Sequence, residues 1–289
     1  MTTPIIDCIT HIGIREDNVI GWGPRFLAED LIAQMDAPRT VLGEPNRRID
    51  QAIVFPSLGD TVPTSTLSFD EQHRYVVESV QKYPERLIGG IVMHARLWDD
   101  QVHNAVRQMV REQGFRMMYI NPSLHKYWLP IQTPSEGESS KQMLYPLFEA
   151  ARELSIPVYI HTGEQPYSLP ATVDFVAGAF PDVNIIIGHL GTQGEMFTIE
   201  ALLVVKSHDN VFVETSFAMP HMLIEAIHSV GAERVIFGSS CPPLEPTHQL
   251  LNVEEALTLD PPIGMNLSFE DTRKVMGGNL ARLLNLVTV

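Results

Sequence analysis

The segment IPVYIHTGEQPYSLPATVDFVAGAFPDVNIIIGHLG, residues 156–191, decides the fold. It opens on an apolar run, IPVYIHTG (156–163), and crosses a stretch with helical character, ATVDFVAGAFP (171–181). It returns in a second apolar run, VNIIIGHLG (183–191). Runs that stay apolar on successive residues are strands buried on both faces, as parallel strands are. Strand, helix and strand therefore form one β-α-β crossover. Both strands end on a histidine, His161 and His189.

The same alternation recurs on either side. PIIDCITHIG (4–13), DQAIVFPS (50–57), RLIGGIVMHA (86–95), FRMMYINP (115–122), VFVETSF (211–217) and RVIFGSS (234–240) read as six further strands. Helical spacing is visible in 25–36, 69–84, 99–114, 140–155, 195–208, 221–231 and 268–286. Asp70 and a Ser268–Asp271 capping box mark helix starts, and Pro84 and Gly114 mark helix ends. Eight βα units predict an α/β fold that closes into a TIM (β/α)8 barrel, as one domain over 1–289. A doubly wound sheet is the rival architecture, and the unit count favours the barrel. The segments 37–49 and 120–139 exceed ordinary loop length and read as binding loops.

Bulk composition narrows the function. The chain has 289 residues, 44% of them hydrophobic, and a formal net charge of −15. So acidic a surface repels phosphate backbones and anionic lipid, so neither nucleic acid nor a membrane is an expected partner. No apolar run reaches the ~20 residues of a bilayer span, and no secretory signal opens the sequence. The two cysteines, Cys8 and Cys241, suit a reducing cytoplasm. A small molecule is the expected partner.

Active sites of such barrels lie where the strands end. Those ends are His11, Asn121, His161 followed by Glu164, His189, the pair Glu214–Thr215, and Ser239–Ser240–Cys241. Side chains alternate along a strand, so Asp7, Ile9 and His11 are expected on one face. His11, His161 and His189 then converge at the mouth. Trp22, Phe26, Phe55, Tyr127, Trp128, Phe217 and Met219 are the apolar side chains expected around it. Cys8 is expected to point between barrel and helices as an inert thiol.

These strand ends resemble the amidohydrolase-related family that includes aminocarboxymuconate-semialdehyde decarboxylase and γ-resorcylate decarboxylase. The likeness is carried by IDQAIVFPS, YPERLIGG, GFRMMYINP, LYPLFEAARELSIPVYIHTG, FPDVNIIIGHLG, NVFVETS, ERVIFGSSCPP and LSFEDTRKVMGGNLARLLNL, which stand in family order over nearly the whole chain. The resemblance implies a distorted TIM barrel with a divalent metal, usually zinc, at its mouth. It implies as ligands two histidines of the first strand, one of the fifth and an aspartate ending the eighth. A sixth-strand histidine polarises substrate or assists water. Position by position, the first-strand pair becomes Ile9 and His11, the fifth-strand ligand His161, the sixth-strand histidine His189, and the aspartate Ser240. A basic residue often found on the fourth strand becomes Tyr119.

Ile9 cannot coordinate a metal, and a serine hydroxyl is a poor zinc ligand. The expectation is therefore that the chain needs no tightly bound metal or other cofactor. Zinc or another divalent ion on His11, His161 and His189, with Cys241 as a further donor, is the alternative. The expected activity is a hydrolase or lyase acting on a small neutral or aromatic substrate, with His161 and His189 transferring protons. His11 and Ser240 assist, and Ile9, Tyr119, Asn121, Glu164, His125 and Cys241 contact substrate. Ser240 or Cys241 as nucleophile is a lesser variant, and Glu214 reads as a structural carboxylate. A retired barrel that only binds its ligand is the non-enzymatic alternative, and homodimer formation is expected from the resemblance.

Overall fold

The computed structural model describes residues 4–14, 25–37, 39–41, 44–57, 67–130, 137–192 and 194–286. Trp22 and parts of both long loops lie outside them. Eight parallel strands follow one another around a curled sheet. They are β1 (Ile6–Ile14), β2 (Gln51–Pro56), β3 (Leu87–Met93), β4 (Phe115–Ile120), β5 (Val158–Ile160), β6 (Ile185–Ile187), β7 (Val211–Glu214) and β8 (Val235–Ile236). A short strand, Arg25–Phe26, adds to β1 antiparallel. The sheet closes where β1 meets the chain just after β8. Cys8 N–H donates to Phe237 O at 3.1 Å and His11 N–H to Cys241 O at 2.8 Å, and Thr10 bridges Cys241 in parallel. This is the TIM barrel that the unit count predicts, distorted by strands as short as two residues.

The uninterrupted apolar runs divide between two layers. Ile53 and Phe55, Met117 and Tyr119, Tyr159, Ile186, Phe212 and Ile236 point inward, where Leu280, Ala281 and Leu283 of the last helix join them. Val54, Met118, Ile120, Val158, Ile160, Ile185, Ile187, Val211 and Val213 face the surrounding helices. The Gly89–Gly90 pair serves both layers at once. A Cβ at Gly90 would strike the ring of Phe55 inside, and one at Gly89 the ring of Phe115 outside.

β1 breaks strict alternation. Its register against β2 shifts between Asp7 and Thr10. Ile6, Cys8 and Ile9 all join the inner cluster, so Cys8 lies inside the barrel and not between barrel and helices. Asp7 serves the seam: its Oδ1 accepts the N–H of Ile9 at 3.2 Å and of Ser239 at 2.9 Å. Burial lifts its carboxyl to about 7 against the pull of the Ser239 hydrogen bonds.

Helix boundaries show what pattern alone misses. The helix Phe69–Lys82 is capped by Ser68, not Asp70, in a reciprocal box with Glu71. A helix at Pro246–Thr258 has no counterpart in the sequence reading, although Pro246 stands in its first turn and the Glu245 carboxylate caps the N–H groups of Thr247 and His248. The expected helix 268–286 is broken at Lys274–Gly278. There Gly277 packs so closely on Pro4 O that a Cβ would collide with it.

His73, in the helix Phe69–Lys82, is fully buried and satisfied as a neutral ring. Its Nδ1–H donates to Phe69 O at 2.9 Å, and its Nε2 accepts from Val92 N–H at 3.1 Å. Burial lowers its pKa from 6.5 to about 4. Below pH 6.5 the unfolded chain takes up a proton here that the folded chain refuses, so stability falls as the pH drops toward 4. The expected loss from this ring is about 3 kcal/mol across that window. Urea unfolding at pH 7 and pH 4 measures it, and a His73→Leu variant should show a flatter pH slope.

Candidate active site

The polar strand ends meet above the inner layer. His161, after β5, lies with its Nδ1 2.9 Å from Nε2 of His189. The two rings stand nearly perpendicular, their centroids 4.6 Å apart. On its other side, His161 Nε2 is 2.6 Å from Glu164 Oε2. Tyr119 reaches the same ring, its hydroxyl 3.2 Å from His161 Nδ1, and accepts a hydrogen bond from Asn121 Nδ2 at 3.0 Å. Asn121 also caps the short helix Pro122–His125 through Leu124 N–H.

His11 lies beyond Tyr119, whose ring touches both histidines, with centroids 5.5 Å from His11 and 6.3 Å from His161. Its Nδ1–H donates to Pro56 O at 3.0 Å, which leaves Nε2 as its basic nitrogen. Burial, reinforced by the nearby His161 ring, lowers the His11 pKa to about 4. The same causes, burial first, hold His189 well below its ordinary value. His11 and His189 are neutral imidazoles at physiological pH, able to accept a proton or to present one.

Beneath His189 sits Glu214, which the sequence places at a strand end and which reads there as a structural carboxylate. The Glu214 carboxyl is fully buried. Its Oε2 accepts from Tyr159 OH at 2.8 Å, from His189 N–H at 2.9 Å and from Ser216 Oγ at 2.9 Å. Its Oε1 accepts from Ser216 N–H. Burial raises its pKa, against the pull of these four donors. Ser216 Oγ lies 2.6 Å from His189 Nδ1. Alternation along a strand would have found both partners, since Tyr159 precedes His161 by two residues and Ser216 follows Glu214 by two. Phe217 is 42% exposed and stands edge-on to His189 at 5.3 Å, an aromatic surface at the mouth.

Other expected contacts sit farther from this centre. Ile9 is buried in the inner cluster. His125 is buried against His94, ring centroids 4.2 Å apart. Cys241 belongs to the outer layer, its Sγ directed to Gln34 Oε1 at 3.5 Å, and burial pushes its thiol well above the ordinary range. A thiol so buried is a poor source of thiolate. Ser240 is buried at the rim in a left-handed conformation, φ 58°. Among the described residues no hydrogen bond joins it to His161 or His189.

Fold and site together define a barrel with a cluster of histidines at its mouth. The amidohydrolase family profile matches residues 51–286, and the chain belongs to that family. The match begins after β1, so Ile9 and His11 lie outside it. No curated protein sequence matches the chain. Solved structures share its fold over nearly its full length. 5-Carboxyvanillate decarboxylase of Novosphingobium aromaticivorans, complexed with manganese, superposes with a TM-score of 0.68 at 16% identity, over 99% of this chain and 100% of that one. A dihydroxybenzoic acid decarboxylase of Polaromonas, also with bound manganese, gives 0.64 at 15% identity, over 100% and 98%. A probable 2-pyrone-4,6-dicarboxylic acid hydrolase of Acinetobacter baumannii gives 0.63 at 14% identity, over 98% and 99%.

The manganese in two of these structures overturns the expectation that no cofactor belongs at such a site. A divalent ion is what those relatives carry. In this chain the donors are otherwise engaged: His161 Nε2 faces Glu164 and His189 Nε2 faces His161, while Ile9 has no donor atom and Ser240 offers only a hydroxyl. Among the described residues no three His, Cys, Asp or Glu side chains are grouped to hold an ion. The residues as arranged do not fit a metal centre.

The site's floor depends on a missing side chain. A Cβ at Gly188 would collide with the Tyr159 hydroxyl. Gly188→Ala should push that hydroxyl off Glu214 and lower the unfolding free energy by about 1–3 kcal/mol. Denaturant unfolding of the variant measures this.

Proposed function

We propose that this amidohydrolase-family protein is an enzyme that carries out histidine acid–base chemistry on a small ring compound. Its reaction is the hydrolysis of a lactone or ester, or a lyase step such as decarboxylation. The observation that carries this reading is the unbroken contact series His189 Nε2, His161 Nδ1, His161 Nε2, Glu164 Oε2, with spacings of 2.9 and 2.6 Å. At 2.6 Å one proton lies between His161 Nε2 and Glu164, and the Glu164 side chain is 45% exposed at the mouth. That proton is the acid available to a leaving oxygen or a ring carbon. His189 Nε2 is the base that accepts through His161.

Substrate class follows from what surrounds the pair. No Lys or Arg is buried among the described residues, so no fixed cation offsets the desolvation of a buried carboxylate. Phe217 presents an exposed aromatic surface beside His189. Both features favour a flat, largely neutral ring held by stacking and a few hydrogen bonds. Rings are also what the named relatives act on: carboxyvanillate, dihydroxybenzoic acid and a pyrone dicarboxylic acid. The pyrone hydrolase supports the hydrolytic arm and the decarboxylases the lyase arm.

A panel of aryl lactones, aryl esters and hydroxybenzoic acids, each assayed with and without added manganese, tests the reading. His161→Gln and His189→Gln should each lower turnover about 10²–10⁴-fold, the range of a general acid or base. Wild-type rates in both variants would end the acid–base reading. Ring binding without turnover, seen by calorimetry, would favour the retired barrel.

A further inference from the structure

His189 is held in a conformation its side chain disfavours. Its backbone is left-handed, φ 60° and ψ 23°, and Leu190 follows at φ 49° and ψ 34°. A left-handed backbone is unfavourable for a residue with a side chain, so two in succession persist only where other contacts impose them. The contact that does so is His189 N–H to Glu214 Oε2 at 2.9 Å. The same carboxylate oxygen receives the Ser216 hydroxyl at 2.9 Å, and that hydroxyl meets His189 Nδ1 at 2.6 Å. One carboxyl thus grips both the backbone and, through Ser216, the ring of His189.

Resting on the acid–base role of His189 given above, we infer that Glu214 and Ser216 are positioning residues that fix its tautomer and aim. The assignment follows from counting protons. Ser216 has one hydroxyl proton, and it is donated to Glu214 Oε2. The serine oxygen can then only accept from the ring. His189 Nδ1 therefore carries the ring proton, and Nε2 is left bare, pointing at His161 Nδ1 from 2.9 Å. Tyr159 OH completes the clasp by donating to the same Glu214 oxygen at 2.8 Å. A catalytic base is held by a third group in just this way when its ring must present one nitrogen. Neither Glu214 nor Ser216 touches substrate in this arrangement, because both lie on the far side of the His189 ring from His161.

Long-range proton–nitrogen NMR of protein labelled with ¹⁵N-histidine reads the tautomer directly, with His189 assigned by its loss in His189→Gln. The wild type should show a protonated Nδ1 and a bare Nε2. Ser216→Thr, which keeps the hydroxyl, should preserve that pattern. Ser216→Ala should lose it. Glu214→Gln should reverse it, because a glutamine amide can donate to Ser216 and turn the hydroxyl proton toward Nδ1. With a turned-over panel substrate, Ser216→Ala should lower kcat on the order of 10²–10⁴-fold with little change in KM. A protonated Nε2 in the wild type, or Ser216→Ala and Glu214→Gln spectra identical to it, would overturn the inference. If the spectra behave as expected while His189→Gln retains full turnover, the clasp stands and the acid–base reading falls.

Discussion

Two backbone hydrogen bonds, Cys8 N–H to Phe237 O and His11 N–H to Cys241 O, hold the first strand against the end of the last. Everything at the mouth depends on that seam. An open sheet would leave His11 at one edge, facing water, far from the strands that carry His161 and His189. Closure makes edge groups into wall groups and removes the unpaired ladder that an edge exposes. It also explains why β1 gives up strict alternation: the shifted register between Asp7 and Thr10 lets Asp7 accept the Ser239 N–H across the seam.

The interior built this way is apolar around a few polar groups, and the low dielectric sets their character. The carboxyls of Asp7 and Glu214 are both raised by burial, while His11 and His189 are both lowered by it. Desolvation pushes acids and bases toward their neutral forms alike. His11 and His189 are thus neutral rings, and the buried Glu214 is held among four donors.

Much of this was legible in the sequence. The eight apolar runs named the strands, and the residues at their ends named His11, His161 and His189. Less legible was anything that depends on one residue leaving its expected periodicity. Cys8 turned inward because a register shift intervenes. The helix 268–286 broke because Gly277 must let Pro4 pass. Cys241 follows a left-handed Ser240 and lies in the outer layer. The carboxylate beneath His189 was visible as Glu214 but read as structural, since pattern gives a residue's face and not its partner. The cofactor expectation failed for a different reason. Ile9 and Ser240 describe this chain's donors, whereas the manganese belongs to the solved relatives.

Asp7 and His11, four residues apart on β1, belong to two different parts of the barrel. In Asp7-Cys8-Ile9-Thr10-His11 the aspartate is bonded to the seam, and the histidine belongs to the mouth. Asp7 is masonry, and what stands between it and His11 does not enter that bond. One short strand thus carries two independent properties, the closure of the wall and the ring that lines its mouth. A barrel can keep its keystone and exchange its reagents, and the keystone alone says nothing of what the vault contains.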